Sequence, residues 1–234
     1  MKTYISPLGF ETTHIISLIV KHGIEKGDRI ILLRPNAPEP RADRAADDIR
    51  DLTAKVDRTI SVEIAKIDHH DFGAMLLRFM DLISSAATPA TSPATHAPAG
   101  SKVIVNLSGG PREILIALTA ASMALSERVY KTTNWSDIDL ELREIELPHI
   151  TRTLDKTARQ ILLDLLEHEH TTLTAVARRI GASESTVSRQ SAKLAGLRAV
   201  KITPDGRKKQ IALTLSGKVL LKCTTFLTDA RSNG

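Results

Sequence analysis

Residues 102–122 read KVIVNLSGGPREILIALTAAS, a strand, a glycine turn and a helix in immediate succession. Val103, Ile104 and Val105 make a short β-branched run of the kind that is buried on both faces of a parallel sheet. Gly109 and Gly110 permit backbone conformations closed to other residues, and Pro111 stands where a helix can begin. From Glu113 onward the run is almost wholly apolar, which predicts a buried helix over 111–126. A strand that turns through glycines directly into a helix is the repeating unit of α/β folds.

The pattern extends in both directions. Residues 3–6, 29–33 and 60–65 are further β-branched runs, and 11–22, 41–56 and 70–86 carry apolar residues at helical spacing. Downstream, 129–133 and 140–147 read as two more strands, the last with Leu140, Leu142, Ile145 and Leu147 as its apolar positions. The alternation predicts a doubly wound α/β domain with a mostly parallel sheet and right-handed crossovers. The segment 87–100, ATPATSPATHAPAG, carries no formal charge and cannot build a core, so it is expected as a surface loop inside this domain. The strand pattern stops near Pro148, which sets the domains at 1–148 and 149–234.

Charge separates the two parts. The 234 residues carry a net +5, but 149–234 holds 15 Lys/Arg against 7 Asp/Glu, while 1–148 holds 17 against 20. Only the second domain has the balance expected of a polyanion binder. No window approaches the roughly 18 uninterrupted apolar residues of a membrane span. The N-terminus reads as a first strand, not a signal peptide. Cys223, the single cysteine, excludes an internal disulfide and a thiolate zinc site. A cytoplasmic protein without a membrane partner is expected.

The basic part reads as helix, helix-turn-helix, hairpin, helix. Asp155 is placed to cap a helix over 154–168 with Ile161, Leu162, Leu165 and Leu166 inward. Gly181 ends the next helix, and Ser183 caps a third over 184–194. This is a helix-turn-helix signature. Ser185, Thr186, Ser188, Arg189, Gln190 and Lys193 are predicted to face outward, as base edges and phosphates in a major groove require. Residues 199–203 and 210–214 flank an Asp205-Gly206 turn, and Arg207, Lys208 and Lys209 beside it form a basic wing suited to a phosphate backbone. Double-stranded DNA is the expected partner; aromatic residues, at 3% of the chain, are too few for base stacking on single strands.

Two loops stand at strand ends, where open parallel sheets place their ligands. Pro7-Leu8-Gly9-Phe10 follows the first strand and Asn106-Leu107-Ser108-Gly109-Gly110-Pro111-Arg112 the fourth. The glycines admit a close backbone approach, the helix start presents N–H groups to an anion, and Arg112 adds a fork of donors. Neither a dinucleotide G-x-G-x-x-G nor a P-loop is present.

With the C-terminal winged helix behind them, these loops resemble the CARF–winged-helix transcriptional regulators associated with archaeal CRISPR loci. The resemblance implies a Rossmann-like CARF domain that dimerises and binds a cyclic oligoadenylate, usually the tetramer, across its two-fold axis. It carries over Leu8, Gly9, Phe10, Asn106, Ser108, Gly109, Gly110 and Arg112 as ligand residues. Thr12, Thr13, Arg34 and Asn134 join them by position. The implied effector is cyclic tetra-adenylate, with no resident cofactor, and the implied assembly is a homodimer on a promoter. Related CARF proteins cleave their ring, so a metal-independent ring nuclease is the enzyme alternative. A regulator sensing another nucleotide is a third reading.

Asp68-His69-His70-Asp71 resembles the Asp-His-His motif of a metal phosphoesterase family. The upstream aspartates of that family are missing, and Asp137-x-Asp139 lies downstream. The stretch reads as a capped helix start with exposed histidines and no metal.

Overall fold

A computed structural model describes residues 1–87, 101–148, 154–205 and 208–232. The expected surface loop over 87–100 therefore lies, beyond Ala87, outside the described residues. The chain divides into two compact units, Met1–Ile145 and Glu146–Gly234.

The first unit runs β1 (Lys2–Pro7), α1 (Thr13–His22), β2 (Arg29–Pro35), α2 (Pro40–Val56), β3 (Ser61–Ile67), α3 (Phe72–Ala87), β4 (Lys102–Asn106), α4 (Arg112–Ala124), β5 (Lys131–Ser136) and β6 (Glu141–Ile145). Its six strands are ordered β3-β2-β1-β4-β5-β6. The first five are parallel, and β6 returns antiparallel to β5. Ile5 stands between Ile31 of β2 and Val105 of β4 in register. This is the Rossmann-like α/β fold expected from the strand–helix alternation.

Side chains alternate across the sheet. Tyr4, Ile30, Leu32 and Ile104 join Ile15 and Leu18 of α1 and Ala45, Ala46 and Ile49 of α2 in one buried cluster. Ile5, Ile31, Leu33, Val103 and Val105 are also buried and point to the opposite face. That is the face to which right-handed crossovers carry α3 and α4. Each fully buried Ile or Leu stabilises by about 1.5–3 kcal/mol, so the strand ends that carry the site loops are held by a dense core.

Three expectations need correction. The helix over 111–126 is not buried all round: Ile114, Ala117, Leu118 and Ala121 are inward, but Ile116, on the face away from the sheet, is 59% exposed. The last strand, expected over 140–147, covers Glu141–Ile145: Leu142 is buried and Ile145 exposed within it, Leu140 occupies a left-handed turn position before it, and Leu147 is buried beyond its end. Leu142 and Ile145 are three positions apart and so lie on opposite faces of this edge strand; Leu142 packs into the cluster formed with α1 and α2, while Ile145 is on the face left open. Leu166 lies at the margin of the apolar stripe of its helix and is exposed.

The second unit comprises α5 (Lys156–Glu167), β7 (Thr171–Thr172), α6 (Leu173–Ile180), α7 (Glu184–Gly196), β8 (Val200–Asp205), β9 (Lys208–Leu213) and α8 (Leu215–Ser232). The Asp155 carboxylate accepts the Ala158 N–H at 2.8 Å and caps α5. Gly181 ends α6 in the left-handed region, and the Ser183 hydroxyl accepts the Thr186 N–H at 3.2 Å to cap α7. The small sheet is ordered β7-β9-β8. Ile161, Leu162 and Leu165 of α5, Val176 of α6, Val187 and Leu194 of α7 and Ile211 of β9 form its core. This is a winged helix. Among the described residues no helix is long and apolar enough to cross a membrane.

Candidate ligand cavity and DNA-facing helix

The strand order reverses between β1 and β4, the point at which an open α/β sheet places its ligand crevice, and the loops leaving these two strands meet there. Gly9 and Gly110 pack backbone to backbone: a Cβ on Gly9 would lie 3.0 Å from the Gly110 nitrogen. Gly109 has φ +73°, and a Cβ on it would stand 2.5 Å from the His14 ring. The second loop can therefore pass this close to α1 only as glycine.

A cavity of about 740 Å³ opens over these loops. Six of the residues expected at the site line it: Leu8, Gly9, Phe10, Arg34, Gly109 and Gly110. The others do not. Asn106 is fully buried and donates to the Ser6 hydroxyl at 3.0 Å, while its carbonyl accepts from Thr133. Ser108 is buried too; its hydroxyl donates to the Asn134 side-chain carbonyl at 3.3 Å and accepts the Trp135 N–H. These three polar side chains tie β1, β4 and β5 together at their carboxyl ends. Thr12 gives its backbone carbonyl to the first turn of α1, Thr13 begins that helix, and Arg112 is an exposed residue at the start of α4.

Arg34 is the cavity's buried charge, only 4% exposed. It pairs with the Asp43 carboxylate and donates to the Ala37 carbonyl at 3.1 Å, and its Nε has no hydrogen-bond partner. Such a guanidinium is a donor set kept out of water. Arg41 lies 4.2 Å over the Phe10 ring, a cation–π pair on the cavity wall. Glu39 caps α2 by accepting the Arg41 N–H at 3.1 Å. His14 is buried, with Nε2 3.2 Å from the Pro7 carbonyl. Burial pushes its pKa below the ordinary imidazole value, opposed by that hydrogen bond and by Glu11 and Asp137.

Sequence reasoning missed His14, Arg41, Glu39, Glu11, His69, Glu113 and Asp137, which also line the cavity. One signal was available. Glu39-Pro40-Arg41 begins a helix at the carboxyl edge of β2, where a crevice residue is expected.

In the second unit α7 carries Ser185, Ser188, Arg189 and Lys193 exposed, with Thr186 and Gln190 half-buried. Val187 and Leu194 face the core. Three of the outward groups are already engaged: the Ser185 and Thr186 hydroxyls bond the Ser183 hydroxyl at 3.0 and 2.8 Å, and Gln190 donates to Asp155 at 2.9 Å. Lys209 is exposed on β9. Arg207 and the Lys208 side chain lie outside what is described.

Fold and sites together define a class: a Rossmann-like domain with a crevice at its switch point, followed by a winged helix-turn-helix. Comparison with known proteins makes this specific. Residues 2–137 match the Csa3 CRISPR-associated Rossmann-like domain, and 154–195 match a winged helix-turn-helix DNA-binding family. The chain belongs to the Csa3 CRISPR-associated family, and its second unit carries a winged helix-turn-helix of a DNA-binding family. Among curated proteins no relative matches.

Solved structures give more distant likenesses. A point mutant of Staphylococcus aureus MepR bound to an oligodeoxyribonucleotide is 24% identical over 34% of this chain, with a TM-score of 0.31. Sso10a-2, a DNA-binding protein from Sulfolobus solfataricus, is 21% identical over 32% of this chain and 81% of its own, with a TM-score of 0.29. Enterococcus italicus Csm6 bound to cyclic hexa-2′-fluoro-hexa-dAMP aligns over 100% of this chain and 56% of its own, at 13% identity and a TM-score of 0.49. The chain spans 62% of MepR. At these scores the likenesses bear on neither ligand nor mechanism.

Proposed function

We propose that the N-terminal unit binds a cyclic oligoadenylate, cyclic tetra-adenylate first among them, across the two-fold axis of a homodimer. Occupancy then resets the affinity of the winged helices for a promoter. The observation that carries this reading is Arg34: a buried guanidinium in the wall of a cavity floored by Gly9, Gly109 and Gly110. Backbone N–H groups and a fixed cation are what a phosphodiester needs. Glu11, Glu39, Glu113 and Asp137 in the same wall suit the other part of the ligand, since carboxylates accept from the exocyclic amines of adenine.

Dimerisation is supported by α4, which leaves directly from the glycine loop and exposes Ile116 one turn later. A two-fold ligand fits an isologous interface in which each protomer supplies the same loop. In the second unit, Arg189, Lys193 and Lys209 are exposed cations placed for duplex DNA. The coupling of ligand to DNA requires that the ligand bind the two dimer arrangements with different affinity.

Calorimetric titration of the full chain with cyclic tetra-adenylate tests the sensor. The expected result is saturable binding at one ring per dimer; absence of binding, with DNA binding intact, overturns the sensor half. One observation favours a second reading, cleavage of the ring: His14, held toward its neutral form by burial, lines the cavity and could serve as a base. Analysis of the same samples for linear product separates binding from cleavage.

A further inference from the structure

We infer that Asp68, His69 and His70 form a binding site for a transition dication of the zinc class, at the rim of the N-terminal cavity. The triplet follows β3 directly, at the carboxyl edge of the sheet. Its three candidate donor atoms lie within 4.8 Å of one another, and the two imidazole rings are 4.1 Å apart and tilted by 37°. The helix start that follows does not need these residues. Asp71 caps α3, its Oδ1 accepting the Ala74 N–H at 2.9 Å, which leaves Asp68, His69 and His70 without a capping role. Asp68 instead accepts the His70 N–H at 3.0 Å, so its carboxylate is already turned back toward the histidines.

Two imidazoles and one carboxylate are the donor set of an open zinc site, with the fourth tetrahedral position left to water or a ligand. The same set disfavours magnesium and calcium, which take oxygen donors. His69 is half-buried and lines the cavity, so the open position would border that space. A dication there would offset part of the excess of carboxylates (Glu11, Glu39, Glu113, Asp137) over Arg34 and Arg41 in the wall. The site stands on its own donors and does not depend on which ligand the cavity takes.

The test uses the tag-free, full-length chain titrated with Zn²⁺ by calorimetry and with Co²⁺ by visible absorption. One Zn²⁺ per chain is expected, with a tetrahedral Co²⁺ spectrum. His69→Ala and His70→Ala should each weaken uptake roughly tenfold or more, and the double variant should abolish it. A His168→Ala/His170→Ala variant should bind as the parent does. Asp68 and His70 are exposed, so thermal melts of the variants should overlay the parent, and Asp68→Asn gives an independent check on the carboxylate. Failure of the parent to take up Zn²⁺, or uptake that survives in the double variant, overturns the proposal.

Discussion

Replacing Gly109 by alanine tests whether the second loop is held against α1 as described. The backbone at φ +73° costs an L-residue about 1–2 kcal/mol. The new Cβ would also stand 2.5 Å from Cε1 and 2.6 Å from Nε2 of His14. That ring is 6% exposed and hydrogen-bonded to the Pro7 carbonyl, so it has little room to retreat, and overpacking adds about 1–3 kcal/mol. The total of about 2–5 kcal/mol corresponds to a fall in Tm of roughly 5–15 °C for a unit of this size.

Trp135 makes the measurement local. It is the only tryptophan, sits on β5, and donates its N–H to Ser108 at the base of the loop. Its fluorescence therefore reports melting of the first unit alone. Gly27→Ala is the control: its φ is +79°, but nothing lies within 4 Å of the added Cβ, so only the backbone cost of about 1–2 kcal/mol applies. In a double-mutant cycle, His14→Ala should recover the steric part of the Gly109→Ala loss, giving a coupling of about 1 kcal/mol or more. If Gly109→Ala melts no lower than Gly27→Ala, the loop does not rest on His14 and the reasoning fails.

The same geometry sets three more expectations. Arg34→Met removes charge-assisted hydrogen bonds of about 1.5–3 kcal/mol each; affinity for cyclic tetra-adenylate should fall by roughly 10–100-fold in calorimetry, and an unchanged affinity would remove Arg34 from the site. Because burial lowers the folded-state pKa of His14, the unfolded chain binds the extra proton. Stability of the first unit should then drop as pH falls below about 6.5. His22, also lowered by burial, acts in the same direction, so the diagnostic is a shallower drop for His14→Gln than for the parent in Trp135 melts. Equal slopes would contradict it. Arg189→Ala and Lys209→Ala should weaken duplex binding in fluorescence anisotropy; each lost phosphate contact should flatten the log K against log salt plot by about 0.9, whereas an unchanged affinity and slope for both would place DNA elsewhere.

The fold was readable because its signals are local. Val103, Ile104 and Val105 are β-branched and central, and Gly181 and Ser183 mark the helix-turn-helix by backbone and capping chemistry that acts over three or four residues. The site was readable only in part, because a polar residue at a strand end has two uses that look alike in sequence. Asn106, Ser108 and Asn134 spend their side chains joining neighbouring strands, and only the assembled sheet reveals this. Arg41 reaches the cavity because the Phe10 ring, thirty-one positions earlier, lies beneath it. His14 reads as one more member of an apolar helix face until the glycine loop is seen to close over it. Ile116 was hidden for the opposite reason: in a helix apolar on nearly every side, sequence does not say which side lacks a partner.

Coupling between ligand and DNA is read directly from the duplex affinity of the full chain with and without saturating cyclic tetra-adenylate. Fluorescence anisotropy with a labelled duplex that the ligand-free chain binds supplies it, with ligand occupancy verified by calorimetry in the same buffer. An allosteric coupling of about 1–3 kcal/mol predicts an affinity change of roughly 5–150-fold, in either direction, that Arg34→Met abolishes. Equal duplex affinity in the ligand-free and ligand-saturated protein would contradict the proposed regulation.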